Sequence, residues 1–218
     1  MFQLADKIIC VSEKFCKYMK SERPDLEEKI DFVNNGIEKV EKIKTKNKIN
    51  DIYTIISVGG GVKLKNNLTV CKAINEIKDI KIKFIVIGKL GKDGEKIKKY
   101  GFVEYYENLP HEEVLKKMRE SDLYVQNSYI ETFGLSIFEA IKEGCRILIS
   151  SNVGIISILD NIKNTDIIYN NTDIEEIKNK IISLYNQKNI HNYITDANKY
   201  RWEKSAERLK ERCKESEK

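Results

Sequence analysis

Short apolar runs recur along the chain and alternate with longer stretches of helical spacing. The runs fall at 7–12 (KIICVS), 30–33 (IDFV), 53–58 (YTIISV), 83–87 (KFIVI), 124–127 within DLYVQNS, 146–150 (RILIS) and 166–169 (DIIY). Each spans four to six residues and is rich in Ile, Val, Phe or Tyr. They are too short for helices and too continuously apolar for a sheet with one wet face. The pattern predicts strands covered on both faces. Phe102, Tyr105 and Tyr106, in GFVEYY, are expected as core or sheet-edge residues.

Between the runs the spacing turns helical. Residues 67–77 place Leu68, Cys71, Ile74 and Ile77 at three-residue steps. Residues 110–120 open with Pro110 and two glutamates, which suits the positive end of a helix. Residues 135–143 carry Leu135, Phe138, Ala140 and Ile141 and stop at Gly144; residues 173–185 carry Ile174, Ile177, Ile181 and Leu184. A further helix is expected at 13–20. Strand and helix in alternation imply right-handed β-α-β units, hence an α/β fold with a Rossmann-like parallel sheet flanked by helices.

The rhythm divides the chain. Residues 1–38 form a small unit with Pro24 and an Asn-Asn-Gly turn, and 39–50 read as a charged linker around EKVEKIKTKNK. Regular alternation fills 51–199. Residues 200–218 read as a charged surface helix that buries one seam made of Trp202, Ala206 and Leu209.

Composition narrows the function classes. Of 218 residues, 41% are hydrophobic, enough for a real core, and there are only two prolines, so most of the chain is not disordered. Lys and Arg number 39 against 34 Asp and Glu, a net +5 with the signs intermixed. That mixture lacks the basic stripe of a nucleic-acid binder, so no nucleic-acid partner is expected. No apolar stretch approaches the roughly 18 residues of a membrane span. The opening MFQLADKIICVSEK places Asp6 and Lys7 where a secretory signal needs apolar residues. The five cysteines are scattered without C-x-x-C spacing, so neither a disulfide framework nor a zinc site is expected. A cytoplasmic protein, at most peripherally associated with the inner face of a membrane, is the expectation. The cysteines are expected to pack as small hydrophobes. His111, beside Pro110, and His191, in a polar stretch, read as capping or solvent residues.

In open parallel sheets ligands bind beyond the carboxyl ends of the strands, where helix N-termini offer free N–H groups to anions. Two strand-to-helix junctions carry suitable chemistry. In SVGGGVKLKNN, Gly59, Gly60 and Gly61 allow close backbone approach, and Lys63 and Lys65 follow. The spacing is not that of a Walker A loop, and a loose turn with solvated lysines fits it as well. In NSYIETFGLSIFEAIKEG, Glu131 lies in the loop and Gly134 marks the helix start, where the amides of Phe133, Gly134 and Leu135 point outward. Glu139 falls close to the apolar face of that helix. A carboxylate there needs partners, either ribose hydroxyls or a lysine.

The segment ETFGLSIFE, from Glu131 to Glu139, resembles the E-x7-E motif of family-four glycosyltransferases of the GT-B fold. The likeness extends through DLYVQNSYIETFGLSIFEAIKEGCRILIS, and ADKIICVS, IDFVNNGI, the glycine loop and RWEKSA resemble other stretches of the family in order. The resemblance implies the second, donor-binding half of a GT-B enzyme, with 1–38 a remnant of the first domain. It implies retaining transfer of a sugar from a nucleotide-diphosphate sugar to an acceptor hydroxyl, with no metal and no other cofactor. Glu139 would bond the ribose and Glu131 the donor sugar. Thr132 and the amides of Phe133, Gly134 and Leu135 would lie along sugar or phosphate oxygens. Lys65 would hold the phosphate beside Gly59, Gly60 and Lys63. The family's arginine before that lysine is missing: Gly60 and Val62 stand at the candidate positions. Lys63 would stand in only as a point charge. The acceptor, a glycan, lipid or protein, would need a missing or separate N-terminal domain. A nucleotide-sugar-binding module without transfer activity, and a ligand-free relic of the fold, are the rival readings.

Overall fold

The computed structural model describes residues 4–38, 51–187, 192–194 and 196–214. The expected linker at 39–50 and His191 lie outside them. Two parallel sheets organise the rest. The smaller pairs β1 (Ile8–Cys10) with β2 (Ile30–Phe32), and helix α1 (Glu13–Glu22) covers it. Cys10, Cys16, Leu26 and Ile30 are its buried core. The larger sheet contains β3 (Tyr53–Val58), β4 (Ile82–Ile87), β5 (Val103–Tyr106), β6 (Leu123–Gln126), β7 (Arg146–Ser150) and β8 (Ile167–Ile168). Its order is β5-β4-β3-β6-β7-β8, with every pairing parallel.

The unbroken apolar runs have a direct cause. Ile55, Phe84, Val86, Leu123, Val125 and Leu148 enter one core, against α2 (Asn67–Asn75) and α6 (Ile174–Asn186). Their neighbours Ile56, Ile85, Ile87, Tyr124, Ile147 and Ile149 enter the other, against α4 (His111–Glu120) and α5 (Leu135–Lys142). Successive side chains alternate faces and both faces are covered, so the middle of each of these strands is apolar at consecutive positions. β5 is an edge strand, which accounts for the half-covered Tyr105 and Tyr106. The four-residue α3 (Gly94–Ile97) is too short for its spacing to show in the sequence.

The last helix, α7 (Trp202–Lys214), corrects the expected seam. Trp202 and Leu209 are exposed, and Ala206 is too. The buried side is Ser205, with Arg212 reaching Asp31 at 3.2 Å. The helix packs on the 31–36 segment of the small unit, Trp202 lying against Gly36 and Arg208 and Arg212 half-covered on that side. Ile37 pairs with Arg201 and its amide donates to the Tyr200 carbonyl at 2.8 Å, tying both ends of the chain to the main body.

Candidate functional site

The strand order reverses between β3 and β6, the switch point at which a crevice opens in doubly wound sheets. Both junctions singled out in the sequence leave the sheet there. The chain after β3 turns through Gly59, Gly60 and Gly61 into the 3-10 turn Lys63–Lys65. The chain after β6 runs to Glu131 and then into α5.

Lys65 meets Glu131 in this crevice: its Nζ donates to Oε2, and both side chains are largely but not wholly covered. Gly59 permits the contact. Its φ is +135°, and a Cβ there would come within 2.6 Å of Lys65 Cγ, so the lysine stem lies across the bare glycine backbone. Lys63 is exposed in the same turn and makes no ion pair among the described residues. Of the two lysines, Lys65 is the one the structure ties to Glu131.

A buried polar chain holds Glu131. Gln126 Nε2 donates to Glu131 Oε2 at 2.9 Å, and Tyr124 Oη donates to Gln126 Oε1 at 2.8 Å. Tyr124 Oη also lies 2.8 Å from Ser136 Oγ in the first turn of α5. Burial pushes the Tyr124 phenol well above its ordinary value, so it stays a neutral donor. The tip of α5 is open: Gly134 caps it at φ +105° and no side chain caps its leading amides. Its leading amides are therefore presented to whatever enters the crevice. Phe133 is buried in the core, so only its backbone can reach a ligand; Thr132 and Leu135 are exposed.

Glu139 lies further along α5, partly exposed, with Oε1 3.1 Å from His111 Nε2 at the start of α4. Within the chain its partner is this histidine and not the lysine that the sequence suggests. Nothing in the local pattern joins positions 28 apart.

Asparagines brace the strand ends. Asn67 accepts from Ser57 Oγ at 2.8 Å, and its amide donates to the Gly60 carbonyl at 2.8 Å, fixing the glycine loop. Asn171, after β8, accepts at its carbonyl from Asn66 at 2.7 Å and Asn127 at 2.9 Å. Its side-chain amide donates to the carbonyls of Asn127 at 3.1 Å and Ser128 at 2.9 Å. Asn152 Nδ2 reaches Asn171 Oδ1 at 3.3 Å. Asparagine after a strand is a common turn former, so residue type alone does not mark these braces. The one signal is that each follows an apolar run or glycine loop.

An ammonium, an open helix tip and two carboxylates gather at the switch point of a doubly wound α/β sheet, where ligands of such folds bind. The chain belongs to the family of glycosyl transferases group 1, whose family model matches residues 39–201. In structure it is similar to the Anabaena protein Alr3699/HepE, crystallised in complex with UDP and glucose, with a TM-score of 0.77, 15% identity, and coverage of 98% of this chain and 64% of that one. It is similar to a glycosyltransferase from Rickettsia africae, with a TM-score of 0.73, 14% identity, and coverage of 97% and 64%. Sucrose-phosphate synthase from Thermosynechococcus elongatus matches with a TM-score of 0.71, 17% identity, and coverage of 97% and 58%. The parallel α/β sheet is thus that of GT-B glycosyltransferases, and the chain spans 64% or less of each of these proteins. No curated protein sequence matches it. Among the described residues no helix is long and apolar enough to cross a membrane, and no three His, Cys, Asp or Glu side chains are grouped to hold a metal ion.

Proposed function

We propose that this chain is the donor-binding half of a retaining, family-four glycosyltransferase that moves a sugar from a nucleoside-diphosphate sugar to an acceptor hydroxyl. The observation that carries the reading is the meeting of Lys65 and Glu131 at the switch point, beside the open tip of α5. Breaking the bond from the anomeric carbon to the diphosphate leaves negative charge on the departing oxygen. Fixed cations and dipoles are the means of stabilising it where no metal serves. Lys65 donates one of its three N–H groups to Glu131, which leaves two for phosphate oxygens. Gly59, Gly60 and the amides of Phe133, Gly134 and Leu135 line the same diphosphate. Lys63, beside them, adds a second positive charge to the donor. Glu139 accepts from the ribose hydroxyls, its His111 contact giving way or being shared. Glu131 and Thr132 border the donor sugar.

The chain's coverage of only part of its structural neighbours favours a protein that binds donor here and completes its acceptor site with another domain or chain. On this reading the 218 residues alone bind nucleoside diphosphate weakly and turn over no sugar. The test is calorimetry with UDP and with GDP on the wild type and on Glu139→Ala. One of the two nucleotides should bind the wild type, and the variant should lose most of that affinity. Equal binding by both proteins removes the ribose role. Repeated sugar transfer by this chain alone removes the half-enzyme reading.

A further inference from the structure

A cavity of about 420 Å³ opens between α1 and the loop after β6. Its lining includes Lys14, Phe15, Tyr18, Tyr129, Glu131 and Asn152. The volume falls in the range of small-molecule sites. One wall is aromatic: the Phe15 and Tyr18 rings stack with centroids 6.1 Å apart and planes 24° from parallel. Tyr18 and Tyr129 are left 43% and 40% exposed, so these rings are uncovered apolar surface and not core. The remaining lining is Ile130, a carboxylate, an amide and an ammonium.

Both walls are fixed. The Ser12 hydroxyl caps α1 and bonds the Thr132 carbonyl at 2.5 Å, which sets α1 against the loop. Tyr129 donates its amide to the Leu64 carbonyl at 3.0 Å, and Glu131 donates its amide to Asn152 at 3.2 Å. The cavity is preorganised and is not a gap left by loose segments.

A pyranose ring has one apolar C–H face and a rim of hydroxyls. Aromatic rings take the face, while a carboxylate and an amide take the rim. An alkyl chain would desolvate the Lys14 ammonium and the remaining hydrogen-bonding capacity of Glu131 and Asn152 without offering them new partners. A second phosphate would meet the Glu131 carboxylate. Glu131 also spans two places: its Oε2 accepts from Lys65 and Gln126, while the residue borders this cavity. A ring seated here lies next to the proposed donor cradle. Resting on the glycosyl-transfer reading above, we propose that this cavity is a subsite for the pyranose ring of the acceptor. Phe15, Tyr18 and Tyr129 take its C–H face, and Glu131 and Asn152 take its hydroxyls.

Saturation-transfer difference NMR on the 218-residue chain tests this, with millimolar methyl pyranosides of glucose, galactose, mannose and N-acetylglucosamine and with octyl glucoside, all without nucleotide. The expected result is saturation on the ring protons of at least one pyranoside. The signal falls severalfold in Tyr18→Ala and in Tyr129→Ala and is kept in Tyr18→Phe. Both rings are half-exposed, and circular dichroism verifies that the variants stay folded. No ring-proton signal from any pyranoside overturns the proposal. So does a signal that both alanine variants retain, or one confined to the octyl chain. UDP measured on the same wild-type sample reads the donor cradle separately. UDP binding without pyranoside binding removes only the subsite. Pyranoside binding with neither UDP nor GDP binding removes the glycosyl-transfer reading and leaves a sugar-binding cavity.

Discussion

The Ser12 hydroxyl donates to the Thr132 carbonyl at 2.5 Å, joining residues 120 positions apart. The same oxygen accepts from the Phe15 amide at 3.2 Å, so one side chain both starts α1 and fastens it to the Glu131 loop. Ser12→Ala removes a helix cap worth about 1 kcal/mol and leaves the Thr132 carbonyl without this donor, a further 1 kcal/mol or so. Urea unfolding should show a loss of about 2 kcal/mol. A loss under about 0.5 kcal/mol, the scale of a neutral surface change, would mean that the small unit is not anchored through this contact.

Asn171 is the bracing residue whose loss should be felt most. It is buried, and its side chain serves Asn127, Ser128 and Asn152 at once. Asn171→Leu keeps the bulk and strands several buried carbonyls. Each unsatisfied buried group costs about 1–3 kcal/mol, so a total of about 3 kcal/mol or more is expected in urea unfolding. Because the bonded segments end β6, β7 and β8, UDP affinity should fall with it even under conditions where the variant is fully folded.

Lys65 and Glu139 should separate phosphate from ribose. A charge-assisted hydrogen bond is worth about 1.5–3 kcal/mol, which is about tenfold to a hundredfold in affinity. Lys65→Ala should weaken UDP by at least about tenfold in calorimetry and leave uridine little changed. Glu139→Ala should weaken both. If Lys65→Ala lowers uridine as much as UDP, the lysine acts by shaping the crevice and not by holding phosphate.

The buried thiols give the fold an alkaline limit. Burial, and the Cys16 thiol beside it, push Cys10 up from 9.0 to about 11; burial pushes Cys71 up from 9.0 to about 12. The folded chain therefore keeps protons that the unfolded chain releases, and stability falls as pH rises wherever the unfolded state holds fewer protons. The contribution is complete below about pH 9, the unfolded value, and is lost as pH climbs through about 11 for Cys10 and about 12 for Cys71. Urea midpoints measured from pH 8 to pH 11 should be level at first and then drop. Cys71→Ala should start lower, through its cavity, but decline less steeply. An identical slope in the variant would assign the alkaline loss to other groups.

The sheet was legible in the sequence wherever burial on two faces leaves a continuous apolar run, as in YTIISV and RILIS. The edge strand β5 was harder, because VEYY carries a glutamate and half-covered tyrosines. The Lys65–Glu131 meeting followed from topology once both junctions were placed at the carboxyl ends of the strands. Glu139 facing His111 did not, since it depends on how α4 and α5 lie side by side. The asparagine braces were hidden because asparagine after a strand signals a turn whether or not it binds across the molecule. α7 misled for a different reason. Its apolar spacing is real, but the surface beneath it offers Asp31 and Asn34, so arginines and Ser205 turn inward while Leu209 stays out.

Gly60 is the position where one methyl group should do most damage to the proposed cradle. Its φ is +61°, and an added Cβ would lie 2.1 Å from the Lys89 carbonyl oxygen and 2.5 Å from the Gly88 carbonyl. These are backbone atoms of the loop after β4, held in turn by Tyr105, whose hydroxyl accepts from the Gly61 amide at 2.7 Å and donates to the Lys89 carbonyl at 2.9 Å. The two loops cannot separate without breaking both bonds and shifting Gly59, the surface on which Lys65 lies. Gly60→Ala should cost about 2 kcal/mol or more in urea unfolding, from left-handed strain and the clash together. It should also lower UDP affinity more than uridine affinity, because the displaced group is the lysine proposed to hold phosphate. Tyr105→Phe provides the comparison: it removes the two hydrogen bonds without a clash, leaves the glycine conformation in place, and should cost about 1–2 kcal/mol. If Gly60→Ala proves no worse than Tyr105→Phe, the loops have slack, and the close approach of their backbones is not what fixes Lys65.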